Sequence, residues 1–184
     1  MRRKSITSEM MKSYIADALL LLMENKAFQD ITVSEIVKKA GVNRSTYYRH
    51  FETKEDVIIY YLDNLSLELI EWEKRQKLDF KQHLIRMYEH YYNHKKQMMT
   101  IYKSGQAQLL LEVLKKYLVS DRHTDKTTKD QYSIAFHIGG TFNQFLLWFS
   151  RNMEDSPADM AKYTLSLVPD TYIRHIWNPK ERWI

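Results

Sequence analysis

Apolar residues recur along this chain at helical rather than strand spacing. Met11, Tyr14, Ile15, Ala18, Leu19 and Leu22 fall on one stripe, as do Ile58, Tyr61, Leu62, Leu65 and Leu69. Leu84, Met87, Tyr88 and Tyr91 repeat the pattern, followed by Leu110, Val113, Leu114 and Tyr117. Ala135, Ile138, Phe142, Phe145, Leu146 and Phe149 continue it. The pattern predicts helices over about 8–25, 32–40, 44–51, 54–76, 79–93, 95–103, 106–119, 128–152 and 157–176. Pro169 is expected to break the last of these. Only four glycines and three prolines punctuate the chain, too few turn formers for a sheet-rich fold. The fold class expected is all-α, with about nine helices. The polar run "SDRHTDKTTKD" reads as the longest exposed loop.

One segment departs from ordinary amphipathic helix: "DITVSEIVKKAGVNRSTYYRHF". Thr32 and Glu35 stand three apart, the arrangement of a capping box that starts a helix. Val33, Ile36, Val37 and Ala40 give that helix an apolar face. Gly41 supplies a residue able to take positive φ, which stops the helix and turns the chain. Asn43 can cap a second helix. Within it Tyr47 and Phe51, four apart, turn inward with Val42, leaving Arg44, Ser45, Tyr48 and Arg49 to project. A short helix with guanidinium, phenol and hydroxyl groups outside fits a DNA major groove, with hydroxyls donating to phosphates and arginine gripping guanine. Thr53 then starts another helix, and Lys54 beside its exposed N–H groups forms an anion site suited to a phosphate.

From about Ser8 to Tyr61 the chain resembles the DNA-binding domain of tetracycline-repressor-like (TetR-family) transcriptional regulators. The residues that carry the resemblance are "ITVSEIVKKAGVNRSTYYRHFETKEDV". Carried across by position, Thr32 and Val33 would lie near DNA. Asn43, Arg44, Ser45, Thr46, Tyr48, Arg49, His50 and Lys54 would supply most contacts. Ser45 follows Arg44 where many members have Gly after Lys, so base preference is not carried over. The resemblance implies a helix-turn-helix domain over 1–54 and a helical dimerisation and effector-binding domain over 55–184. It also implies a homodimer on a palindromic operator, acting as a repressor and released by a small-molecule effector. The alternatives are a transcriptional activator or a protein-binding co-activator that retains the fold.

In the larger body, candidate pocket residues are Tyr88, Tyr91, Tyr92, Met98, Met99, Tyr102, Phe136 and Trp148. Helix 128–152 and its successor carry apolar groups on more than one face. The expected dimer interface is therefore Phe142, Phe145, Leu146, Phe149, Ala161 and Leu165. Gly139–Gly140 within that helix points to close helix approach or a kink. His90 and His94 stand one turn apart, with His83 two turns earlier and Glu89 adjacent, a spacing that can bind a metal. A Tyr- and His-rich helix shows that spacing by chance, so no metal or cofactor is expected.

Charge and composition fit this reading. The net charge is +5, and residues 1–54 hold ten Lys/Arg against six Asp/Glu, a basic head on a nearly neutral body. "MRRK" could add a basic arm through Arg2, Arg3 and Lys4. There is no cysteine, no phosphate-cradling glycine pattern and no metalloprotease or nucleophile-elbow motif, so the chain is not expected to be an enzyme. No apolar run is long enough to span a bilayer, and the expected partner is double-stranded DNA in the cytoplasm, with no membrane.

Overall fold

The computed structural model describes residues 2–118, 127–170 and 173, and the side chains among them except those of 2–6 and 118. These residues form α1 (Arg2–Met23), α2 (Val33–Ala40), α3 (Arg44–His50), α4 (Lys54–Glu73) and α5 (Phe80–Asn93). After them come α6 (Lys95–Lys103), α7 (Gln108–Leu118), α8 (Thr128–Ser150) and α9 (Pro157–Leu167). A 3₁₀ turn at Phe28–Asp30 joins α1 to α2, and no strand occurs among the described residues.

The helices start where they do because side chains satisfy their first N–H groups. Thr32, Thr53, Asp79 and Thr127 form reciprocal capping boxes with Glu35, Asp56, Gln82 and Asp130. Asn43 and Ser156 cap α3 and α9, the latter with Pro157 in its first turn. Two boundaries differ from the expected ones. α1 already begins at Arg2, so the basic start is helical backbone, although the side chains of Arg2, Arg3 and Lys4 lie outside the described residues. α9 ends at Leu167 because Val168, extended at φ −96° and ψ 117°, precedes Pro169, whose ring disfavours a helical neighbour. Of the expected loop over 120–130, Thr127 caps α8 and 128–130 form its first turn, while 120–126 and the continuation past 173 lie outside the described residues.

α1 packs on α2, α3, α4 and α6, and α4 runs from beside α1 to pack on α5 and α7. α5 lies along α9, and α8 along α6 and α7. One continuous apolar cluster runs through these contacts, from Ile15 and Leu19 through Tyr47, Ile58 and Leu62 to Tyr88, Phe145 and Trp148. Full burial of each such side chain stabilises the fold by roughly 1.5–3 kcal/mol.

That core corrects two expectations. Tyr88, Tyr91, Met98 and Trp148 do not line a cavity together; all four are buried in the apolar core. Tyr88 sits 5.4 Å from Phe145 and 5.5 Å from Trp148 between ring centroids, and Tyr91 sits 5.0 Å from Phe145. The Tyr88 hydroxyl is 2.7 Å from Thr164 Oγ1, and Met99 is buried as well. Tyr102 packs at 5.7 Å on Phe149, and Tyr92 stacks on Trp148 from the surface. Phe136 is 75% exposed and joins none of them.

The expected interface is corrected too. Phe145, Phe149 and Ala161 are buried within their own chain, so they have no surface to offer a partner. Phe142 and Leu165 are half-buried against the same core, and Leu146 is half-buried. The large apolar side chains that α8 and α9 leave outside are Tyr132, Phe136, Leu147, Tyr163 and Leu167. Among the described residues no helix is long and apolar enough to cross a membrane.

Candidate nucleic-acid interface

Between Val33 and His50 there are four Lys/Arg and a single acid, Glu35. That carboxylate is fully engaged at home. It takes a 2.7 Å bond from Lys26 and accepts from the Thr32 N–H and hydroxyl, both at 2.8 Å. The Lys26 hydrogen bond, then those from Thr32, hold its pKa down to about 2. The capping box of α2 therefore stays ionised through the ordinary working range and loses this contribution only as pH falls from about 4.5 toward 2.

The turn between α2 and α3 is fixed by Gly41, at φ 68° and ψ 29° in the left-handed region. The Val42 N–H reaches back to the Val37 carbonyl at 3.0 Å, the closing bond of a Schellman turn. Asn43 Oδ1 then accepts three bonds: from the Thr46 N–H at 2.8 Å, the Thr46 hydroxyl at 2.8 Å and the Ser45 hydroxyl at 2.7 Å. This cap locks the N-terminal turn of α3.

Inside, Tyr47 has no exposed surface and Phe51 is buried, their rings 6.0 Å apart. The Tyr47 hydroxyl donates to the Thr53 carbonyl at 2.9 Å and ties α3 to the start of α4. Burial, then the charge of Asp56, push its pKa up to about 12. Outside, Tyr48 is 59% exposed, its ring edge-on to Tyr47 at 5.3 Å. Arg44 and Arg49 are exposed as well. Among the described residues no side-chain hydrogen bond or ion pair engages Tyr48 or Arg49. One tyrosine anchors the helix and the next presents its phenol to solvent.

The remaining sequence-derived residues divide by what they touch. Thr32, Asn43, Ser45 and Thr46 sit at the rim, with their side-chain oxygens already committed to caps. Val33 is half-buried against the core. His50 is half-buried beside Phe51, and burial, then Lys12, lower its pKa, which keeps the imidazole neutral near pH 7. Arg44 bonds through Nη2 to the Ser34 hydroxyl on α2, a neighbour that sequence periodicity did not bring forward. Ser34 is exposed at the same edge and belongs to the candidate surface.

Lys54 has a different task from the one its position suggested. Its ammonium donates to the carbonyls of Phe28 at 2.6 Å, Ile31 at 2.8 Å and Gln29 at 3.4 Å, and lies 4.6 Å from the Phe28 ring centroid. It thus staples the 3₁₀ turn ahead of α2 to the first turn of α4. Lys54→Met, which keeps the stem and removes the donors, is expected to destabilise the fold by about 2 kcal/mol in chemical denaturation. An unchanged midpoint would show that water replaces those bonds without cost.

Residues 15–61 match the sequence family described as bacterial regulatory proteins, tetR family. A 68-residue segment is 34% identical to the HTH-type dhaKLM operon transcriptional activator DhaS of Lactococcus lactis, covering 37% of this chain and 35% of that protein. A 44-residue segment is 41% identical to the HTH-type transcriptional regulator EthR of Mycolicibacterium smegmatis, covering 24% of this chain and 20% of that protein. The chain thus aligns with only about a third of the first relative's length and a fifth of the second's. A TetR transcriptional regulator of known structure from Streptococcus agalactiae superposes with a TM-score of 0.63 over 91% of this chain and 98% of its own, at 19% identity. That likeness extends the shared fold through the helical body.

Proposed function

Because the chain belongs to the tetR family of bacterial regulatory proteins, we propose that it is a DNA-binding transcriptional regulator working as a homodimer. Residues 1–54 carry the DNA-reading part in this reading, and 55–184 the body that pairs two of them. The observation that carries it is the outer face of α3, where Arg44, Tyr48 and Arg49 stand exposed on a helix locked by Asn43 and anchored by Tyr47. In a major groove, Arg44 beside Ser34 is placed to read base edges, while the Tyr48 hydroxyl and Arg49 hold phosphates. Thr32, Val33, Asn43, Ser45, Thr46 and His50 form the rim, and Lys54 positions α2 relative to α4.

A single α3 reads only a few base pairs, so useful specificity calls for two copies related by symmetry, their half-sites about 34–36 Å apart. The surface for pairing is the outer stripe of α8, Tyr132, Phe136, Gly140, Asn143 and Leu147, continued by Tyr163 and Leu167 on α9. Gly139 and Gly140 support this choice. Among the described residues a methyl group on either would meet nothing within 4 Å, so a closely approaching partner helix gives their small size a purpose.

Occupancy of a palindromic operator by such a dimer represses transcription. A second reading, activation, is favoured by one observation, the activator role of the Lactococcus relative DhaS. Transcript levels of adjacent genes in a deletion strain separate the two, rising if the protein represses and falling if it activates. Release from DNA runs through α4, since a ligand that tilts this helix changes the spacing of the two α3 helices and lowers affinity by population shift.

Salt-dependent duplex binding tests the head. Arg49→Ala is expected to weaken binding at every sequence alike and reduce the slope of log K against log salt by about 1. No duplex binding by the wild type at low salt would contradict the reading; affinity and slope both unchanged in the variant would remove Arg49 from the interface.

A further inference from the structure

A cluster with metal-binding chemistry lies away from the DNA-facing helices. Glu68 on α4, His90 on α5 and His94, which ends α5, place a ligand atom each within 4.8 Å of one another. The spacing of histidines in the sequence suggested different companions. His83 instead faces Glu73 at 2.7 Å, and Glu89 faces Arg86 at 3.7 Å. The third member comes from the neighbouring helix, which sequence spacing alone does not bring to His90.

Both rings are held from outside the cluster. His90 Nε2 lies 2.8 Å from the Leu65 carbonyl. A carbonyl only accepts, so Nε2 carries the proton and Nδ1 keeps its lone pair as the ligand atom. His94 Nδ1 lies 3.0 Å from the Tyr61 hydroxyl, and in the tautomer in which Nδ1 donates to that oxygen, Nε2 keeps its lone pair as the ligand atom. Metal-bound histidines are oriented in this way, with the other ring nitrogen bonded to a carbonyl or another polar group.

We propose that Glu68, His90 and His94 bind a divalent transition metal, with Zn²⁺ the best match and water in the fourth position. Two imidazoles and one carboxylate are a zinc-type donor set, whereas Mg²⁺ and Ca²⁺ prefer oxygen ligands throughout. Tetrahedral coordination at 2.0–2.1 Å puts donors about 3.3 Å apart, so the cluster has to contract by about 1.5 Å at most. Glu68 is exposed and can swing inward, while His90 is already buried in place. The bound ion would bridge α4 to α5.

The test uses the full-length chain, stripped with a chelator, dialysed and titrated with Zn²⁺ against a chromophoric zinc indicator. Wild type is compared with Glu68→Gln and His94→Gln. The expected result is one tight Zn²⁺ per chain in the wild type and at least about tenfold weaker binding in each variant. Zn²⁺ should also raise the thermal midpoint of the wild type alone. Co²⁺ substitution should give the intense visible bands of a four-coordinate ion, lost in the variants. Glu68 is exposed, so Glu68→Gln keeps the fold, which circular dichroism checks. Absence of tight binding in the wild type, or equal Zn²⁺ affinity in all three proteins, would overturn the proposal. None of these readouts uses DNA, so they stand apart from the regulatory reading.

Discussion

Leu147→Glu is expected to turn the dimer into a monomer while leaving the helical fold intact. Leu147 is 62% exposed on the outer face of α8, so a carboxylate there meets water in a single chain and disturbs little. In the proposed dimer the same position is covered. Two-fold symmetry places two such carboxylates in one interface, since each subunit contributes the same patch. Burying each without a partner costs several kcal/mol, enough to raise the dissociation constant by several powers of ten. Light scattering should report the mass of one chain, with an unchanged helical spectrum. Operator affinity should fall about 10²–10⁴-fold, because the second half-site no longer binds intramolecularly. A variant that remains dimeric would place the interface elsewhere.

The adjacent tyrosines of α3 should separate folding from binding. Tyr47→Ala removes a fully buried ring that contacts Phe51 and Tyr48 and bonds to Thr53. It is expected to destabilise the fold by about 3–5 kcal/mol, a large part of the 5–15 kcal/mol that holds a typical domain together. Tyr47→Phe isolates the hydroxyl and should cost about 1 kcal/mol. Tyr48→Ala removes an exposed phenol, so stability should change by less than about 0.5 kcal/mol. DNA affinity should nevertheless fall, across sequences alike, because its hydroxyl is assigned to a phosphate. Denaturation curves and duplex binding, measured on the same three proteins, check the division. Equal loss of stability in Tyr47→Ala and Tyr48→Ala would mean that the inward and outward faces of α3 are misassigned.

Much of this fold is legible in the sequence because its signals are local. Thr32 and Glu35, Gly41, Asn43, and Thr53 with Asp56 set the helix ends through bonds between residues close in the chain. The four-residue step from Tyr47 to Phe51 sets which side of α3 turns inward. The rest depends on contacts that periodicity does not contain. α8 is apolar nearly all round, so its pattern could not say whether Phe145 or Leu147 faces the core; packing against α6 and α7, with α9 nearby, decides it. Lys54 looked like a phosphate ligand because the 3₁₀ turn at Phe28–Asp30, whose carbonyls it holds, leaves no periodic trace. The expected pocket set of aromatics and methionines is mostly core, since Tyr88 packs on Trp148 and Tyr91 on Phe145 across α5 and α8. Glu68 could not be linked to His90 until α4 and α5 were seen side by side.

The most direct test of the central claim is a selection from random duplex DNA, run with the wild type beside Arg44→Ala. The expected result is enrichment of a palindrome whose half-sites lie about one helical turn, or a multiple of it, apart. Arg44→Ala should blur the preference at particular base pairs, with each lost contact worth about 1–3 kcal/mol. No enrichment by the wild type, or a motif without two-fold symmetry, would contradict a dimeric reader of DNA sequence.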